Sequence, residues 1–163
     1  MRGILGPMED AGFGQMLGLG HDLVDLKEFG RQLAVPGTRM TSLFSPRERR
    51  QAQQRALLKH DDTATHLAAR WAGKESVLKA WSQALGPEPS PYSLDDFPWS
   101  GVEILDDSRG RPSVNLESSV QVKLNESLPQ SGSQDDQVKL RWHIALSHDG
   151  PVASAVVLLC RFV

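Results

Sequence analysis

An α+β fold, a small antiparallel sheet packed on one long helix, follows from three stretches of the chain. Residues 66–85, HLAARWAGKESVLKAWSQAL, put Leu67, Trp71, Leu78, Trp81 and Leu85 on one narrow face at the helical period. Residues 138–146 alternate strictly, with Val138, Leu140, Trp142, Ile144 and Leu146 on one side, the pattern of a strand with one buried face. The apolar run 152–159 follows the turn Ser147, His148, Asp149, Gly150 and reads as that strand's antiparallel partner. A half-buried sheet must bury its apolar side against something, and the long helix supplies it.

At 163 residues the chain suits a single domain over 15–163, preceded by a glycine-bearing extension, 1–14, without periodicity. A net charge of -2 argues against a whole-protein nucleic-acid binder. Cys160 is the one cysteine, which excludes an internal disulfide framework and fits a reducing compartment. No apolar run approaches membrane-spanning length, and the start MRGILGPMEDAGFG has acids and glycines where a signal peptide needs an apolar core. A cytoplasmic protein without membrane partners is expected.

Taken in order, MLGLGHDLVDL at 16–26 reads as a short strand ending in acids. Gly18 and Gly20 invite a dinucleotide-loop reading, but the third glycine would fall at Leu23, so that reading fails. Asp22 remains as a carboxylate near a strand end, with a turn or cap as its structural role and Asp25 as its competitor. Residues 30–40 read as a loop broken by Pro36 and Gly37, with room for a helical turn before it. Ser45, Pro46 and Glu48 then place an N-cap, a first-turn proline and a capping-box acid in order, opening a helix to about Lys59. Its Arg47, Arg49, Arg50, Arg55 and Lys59 form either a solvated face or a dock for an acidic partner or phosphates. Asp61, Asp62 and Thr63 offer a cap for the long helix, and Gly86 with Pro87 ends it. After a Pro- and Ser-rich loop, 87–100, the stretches 102–105 and 113–116 alternate around DDSRGRP as a hairpin turning at 109–112. Leu116, Val120, Leu124 and Leu128, four apart, suggest a short helix, and 125–137 a polar loop.

Glu75 and Lys79 stand one turn apart beside the apolar face, in line with Ala68 and Ala72, whose small side chains leave room at the core rim. By spacing alone the pair is more often an ion pair on a solvated helix face. With Asp22 and His148 it makes four polar residues at element ends or core rims. Two carboxylates from different elements are a minimal protein contribution to a Mg²⁺ site, since that ion keeps waters and takes phosphates for its other positions. A lysine one turn away could neutralise a phosphate leaving group. A histidine in a strand turn could hydrogen-bond a phosphate, although such a residue more often only shapes the turn.

The stretches GLGHDLVDL, FSPRERR, HLAARWAGKESVLKAW, the GRP turn and LSHDGPVASAVVLL occur in this order between about 16 and 162. Together they resemble the holo-acyl-carrier-protein synthases, the short 4'-phosphopantetheinyl transferases, with Trp71 and the R-E-R-R helix closest to the actinobacterial branch. The resemblance implies the family's fold, a trimer with active sites between subunits, and transfer of the 4'-phosphopantetheine arm of coenzyme A to a serine of an acyl carrier protein, releasing adenosine 3',5'-bisphosphate. It further implies that Asp22 and Glu75 hold Mg²⁺ against the pyrophosphate, that Glu75 helps remove the serine proton, and that Lys79 stabilises the departing bisphosphate. By the same resemblance His148 hydrogen-bonds near the pyrophosphate, Arg70 meets a nucleotide phosphate, and Gly110, Arg111 and Pro112 lie against the adenine held by a neighbouring subunit. His21 and Ser76 depart from the pattern without removing the site. Glu28 stands where several relatives carry a basic docking residue, which shifts the expected carrier dock toward Arg47, Arg49 and Arg50. Two other readings use the same residues: a non-enzymatic module that holds an acidic partner on the basic helix, and a metal-dependent phosphohydrolase with water as acceptor.

Overall fold

The computed structural model describes residues 14–129 and 139–162. Strand β1 (Gln15–Asp25) is followed by helix α1 (Leu26–Leu33), α2 (Pro46–Lys59), the long α3 (Thr63–Ala84), the hairpin β2 (Val102–Asp106) and β3 (Pro112–Leu116), α4 (Ser118–Ser127), and the long strands β4 (Lys139–Asp149) and β5 (Val152–Phe162). β1, β5 and β4 form one antiparallel sheet with β5 in the middle, and β2 with β3 forms a second. The expected sheet on a long helix is therefore present, with the hairpin as a separate layer. Among the described residues no helix is long and apolar enough to cross a membrane.

The alternation in β4 and β5 explains the sheet's inner face. Leu140, Trp142, Ile144 and Leu146 pack on the core, and Ala155, Val157 and Leu159 of β5 pair beside them in register and are buried. The intervening β4 residues Arg141, His143, Ala145 and Ser147 are exposed, so one face is dry and the other wet. Each large apolar side chain fully buried in this core contributes on the order of 1.5–3 kcal/mol.

Gly18 and Gly20 of β1 have a steric purpose that their spacing did not disclose. A Cβ on Gly20 would collide with the carbonyl oxygen of Ser76, and one on Gly18 with that of Ala80. The strand thus lies directly on the helix backbone and runs antiparallel to it, so that Asp22, next on the same face, arrives beside the turn that carries Glu75 and Lys79.

Helix α3 is buried over much more of its circumference than one narrow stripe. Besides Leu67 and Trp81, the residues Ala68, Ala72, Gly73, Lys74, Ser76, Val77 and Ala80 are buried, while Trp71 and Leu78 keep some exposure. The cause is packing on more than one side, with the sheet on one and α1, α2 and the hairpin on the other. The row of Ala68 and Ala72 is consequently closed over by protein and is not an open cradle. Loop 87–100 contributes part of the second side. Tyr92 and Phe97 meet Trp81 edge-on at 5.8 and 6.2 Å, and Phe97, Trp99, Trp71 and Phe44 continue the aromatic row.

The helix starts follow their signals. Ser45 and Glu48 close a reciprocal capping box on α2, and Asp62 caps α3 by accepting from the Ala64 amide. Asp25 caps α1 by accepting from the Glu28 amide at 2.8 Å, which resolves its competition with Asp22. The region 30–40 is corrected: α1 runs to Leu33, with Phe29 buried and Leu26 and Leu33 packed beside it, and irregular structure begins only after it. The hairpin turns at 107–111, where Gly110 takes φ +77°. The helix expected around 116–128 is α4, so 125–127 is its last turn and not loop. Residues 1–13, Val138 and the remainder of the polar loop from 130 lie outside the described residues.

Candidate active site

Three side chains meet where β1 crosses α3. Lys79 Nζ donates to Asp22 Oδ1 at 2.7 Å and to the His21 carbonyl oxygen at 2.9 Å, so its strong partner is on the strand and not Glu75 on its own helix. Asp22 Oδ2 is buried and has no hydrogen-bond partner unless Glu75 is protonated and donates to the Asp22 carboxylate. Glu75, half-buried, faces this carboxylate. Burial first, then a hydrogen bond and like-charge repulsion from Asp22, raise its pKa to about 7 against the pull of Lys79. A carboxyl poised near neutrality can accept a proton as a general base.

The same features bear on a cation. A buried carboxylate oxygen left unpartnered when Glu75 is ionised, beside that second carboxyl, both hard donors from different elements, fits a Mg²⁺ ion that completes its shell with water and phosphate oxygens. Among the described residues no group of three or more His, Cys, Asp or Glu gathers as a metal site, here or elsewhere, so the protein's share at this point is two carboxyls.

A second cluster forms at the first turns of α3. A pocket of about 290 Å³ is lined by Arg55, Lys59, His66, Arg70, Asp106, Gly110, Pro112 and His148, among others. Arg70 is 3% exposed, donates to Asp106 Oδ2 at 3.0 Å, to Gln51 Oε1 at 3.3 Å and to the His66 carbonyl at 3.1 Å, and leaves its Nε unpartnered. Asp106 also accepts from Arg55 Nε at 3.2 Å. The turn fits around these cations: the Arg55 guanidinium occupies the space a Cβ on Gly110 would need, with Nη2 2.6 Å from that position. Arg55, Lys59, Arg70 and the imidazoles set against one partly buried carboxylate make a pocket suited to an anion.

The structure thus brings the sequence-derived residues together in two groups. Asp22, Glu75 and Lys79 form one, and Arg70, Gly110, Pro112 and His148 the other. Glu75 lies five residues beyond Arg70, roughly 7.5 Å along the helix and about 140° around it, so the groups occupy different faces. Arg111 joins neither, because its side chain turns back on Asp107 at 2.7 Å and stays exposed. On α2, Arg47 is engaged with Glu103 at 2.9 Å, while Arg49 and Arg50 are exposed with no ion pair among the described residues. Arg55 and Lys59 turn into the pocket, so the basic face of α2 divides between two uses. His66 and Asp106 were not singled out by sequence. Only their position against Arg70 reveals them, although the histidine opening the HLAARW stretch was a visible signal.

Comparison with known proteins places the chain in a family. A family model described as the 4'-phosphopantetheinyl transferase superfamily matches residues 18–156. The holo-[acyl-carrier-protein] synthase of Bifidobacterium adolescentis is 56% identical over 153 residues, covering 88% of this chain and 99% of its own. That of Bifidobacterium animalis subsp. lactis is 54% identical over 147 residues, covering 88% and 97%. Among solved structures, a Chronobacterium ammoniagenes ACPS-CoA complex superposes with a TM-score of 0.74 at 38% identity, covering 87% of this chain and 95% of that one. The chain is an enzyme that belongs to the 4'-phosphopantetheinyl transferase superfamily, within its holo-[acyl-carrier-protein] synthase family and on the actinobacterial branch.

Proposed function

We propose that this enzyme transfers the 4'-phosphopantetheine arm of coenzyme A to a serine hydroxyl of an acyl carrier protein. The observation that carries the reading is the Asp22, Glu75 and Lys79 cluster, in which one carboxyl with its pKa raised to about 7 stands beside a second carboxyl and an ammonium. The coenzyme A bound in the related Chronobacterium ammoniagenes complex and the names of the relatives support the two substrates.

In this reading Glu75 takes the proton of the incoming serine, whose oxygen attacks the phosphorus attached to the pantetheine arm. A serine O–P bond forms, and the P–O bond to adenosine 3',5'-bisphosphate breaks. Lys79 neutralises the charge that appears on the departing phosphate. Asp22 keeps Lys79 aimed at this point through their 2.7 Å pair. Arg70 and His148 grip the nucleotide end. Asp22 and Glu75 would hold Mg²⁺, which when bound supplies charge neutralisation on the pyrophosphate. Gly110 and Pro112 shape the nucleotide pocket and Arg111 stiffens their turn through Asp107. Because the two residue groups lie on different faces of α3, the reading includes a homotrimer in which one subunit's catalytic cluster faces the nucleotide pocket of the next. The exposed Arg49 and Arg50, with Arg47 at their edge, receive the acidic carrier. The setting is cytoplasmic fatty acid biosynthesis.

The test is intact-mass spectrometry of an apo acyl carrier protein incubated with the enzyme, coenzyme A and Mg²⁺, beside a Glu75→Ala variant and a chelator control. A gain of one phosphopantetheine arm, lost in both controls, is expected. Cleavage of coenzyme A without a carrier would replace the reading with a hydrolase, and folded enzyme that neither cleaves nor transfers would refute both.

A further inference from the structure

His66, in the first turns of α3, makes three attachments at the nucleotide pocket. Its Nε2 lies 2.7 Å from Asp61 Oδ1, its carbonyl oxygen accepts from Arg70, and its ring meets that of His148 edge-on, with centroids 6.5 Å apart and planes at 86°. The His66 side chain is 8% exposed, so its ring is fixed from all sides. At 2.7 Å the His66 tautomer carrying its proton on Nε2 donates to the Asp61 carboxyl, which fixes the ring's orientation. Asp61 is anchored in turn, since its amide donates to the Ala56 carbonyl at the end of α2.

His148 presents the opposite case. It stands exposed at the end of β4, next to the turn at Gly150, and among the described residues its ring makes no hydrogen bond or ion pair. The ring of His66 is its aromatic neighbour there. An exposed imidazole that must meet a phosphate loses rotamer freedom on binding, and a rigid ring against its edge removes part of that loss in advance. A carboxylate that fixes one histidine while its ring aligns a second acts as the outer partners of metal-bound histidines do, by setting orientation without touching the ligand.

We propose that His66, held by Asp61, is a positioning residue that seats His148 for the phosphate of the nucleotide bound between α3, the hairpin turn and the end of β4. This rests on the coenzyme A reading above. The placement is specific to that pocket: the pair links the α2–α3 connection, Arg70 and His148, and among the described residues it shares no hydrogen bond or ion pair with Asp22 or Glu75.

The test uses the full chain and adenosine 3',5'-bisphosphate as probe, with affinity read by titration calorimetry for the wild type, His66→Leu, Asp61→Ala, His148→Ala and the His66→Leu/His148→Ala double variant. In the wild-type background His66→Leu is expected to weaken binding about five- to tenfold, and Asp61→Ala to weaken it in the same direction. In the His148→Ala background His66→Leu is expected to change affinity by less than about twofold, because its effect passes through the missing ring. The His148 signals in a ¹⁵N imidazole spectrum of the Asp61→Ala variant should shift from their wild-type positions. Should His66→Leu fail to fold, Asp61→Ala, whose site is partly exposed, carries the same comparison in both backgrounds. Unchanged affinity, or an equal loss with and without His148, overturns the proposal. Absence of binding by the wild type overturns the coenzyme A reading itself, and this inference with it.

Discussion

Lys79 is paired with Asp22 at 2.7 Å across the helix–strand contact, and not with Glu75 one turn back on its own helix. That choice of partner divides the labour between two carboxyls. Asp22 has an ammonium to stabilise its charge, whereas Glu75, desolvated and beside a carboxylate, holds a proton to about pH 7. An i,i+4 pair would have kept both groups ordinary.

Glu75→Gln should therefore remove transfer while stabilising the fold at alkaline pH. The folded-state pKa is raised above the unfolded carboxyl value, so the native state binds the proton more tightly. The associated stability is complete below the unfolded value of 4.5 and is lost as pH rises through about 7. The wild type should accordingly lose melting temperature relative to Glu75→Gln between pH 5 and pH 8 in metal-free buffer, and the activity loss should be on the order of 10²–10⁴. Parallel melting curves across that range would show that Glu75 titrates normally.

Gly20→Ala should misplace the site from outside it. The new methyl would strike the Ser76 carbonyl oxygen, which belongs to the α3 backbone and cannot rotate away. Either β1 lifts off α3 or the chain unfolds, at a destabilisation on the order of 3 kcal/mol or more. Denaturant titration checks the size. In a variant that still folds, Asp22 is carried away with its strand, so transfer should fall much further than affinity for adenosine 3',5'-bisphosphate. Equal losses in both would mean that β1 does not set the catalytic geometry.

How far the sequence could be read follows from which interactions are local. Ser45, Pro46 and Glu48 marked the start of α2 to the residue, because a cap is settled within four positions. The alternation of Leu140 to Leu146 marked β4, because a half-buried strand writes its period directly. Asp22, Glu75 and Lys79 were legible as chemistry but not as a geometry: Lys79 finds its partner 57 positions away. Gly18 and Gly20 showed only as a failed loop motif, since a close approach to a helix backbone leaves no pattern of its own. Helix α1 was legible as no more than a helical turn although Leu26, Phe29 and Leu33 have helical spacing, because Gly30 and the later Pro36 outweighed so short a signal.

Lys74, next to the catalytic candidate in sequence, should behave as a residue of the fold. It and Glu48 are both fully buried and bonded at 2.9 Å, and Lys74 also donates to the carbonyls of Trp99 and Val102. Glu48 meanwhile accepts from the amides of Ser45 and Ile104. Burial raises the pKa of Glu48 and lowers that of Lys74, and each charge offsets the other's desolvation. Lys74→Met should leave an uncompensated buried carboxylate and destabilise by about 3–5 kcal/mol. The double variant Glu48→Leu/Lys74→Met should recover part of that loss in denaturant titrations. A single variant as stable as the wild type would mean that water reaches the pair.

The division of α2 predicts that carrier binding and nucleotide binding can be separated by charge reversal on one helix. Arg49 and Arg50 are exposed and carry no ion pair among the described residues, whereas Arg55 and Lys59 face the nucleotide pocket. Arg49→Glu/Arg50→Glu should raise the KM for the carrier about tenfold or more at low salt, through lost attraction and new repulsion against an acidic partner. The difference from the wild type should shrink as ionic strength rises and the Debye length shortens. Affinity for adenosine 3',5'-bisphosphate should stay unchanged, since neither side chain lines its pocket. Steady-state kinetics with a purified carrier at two salt concentrations checks all three. An unchanged carrier KM would move the dock off α2, and a matching loss of nucleotide affinity would mean that the two surfaces are one.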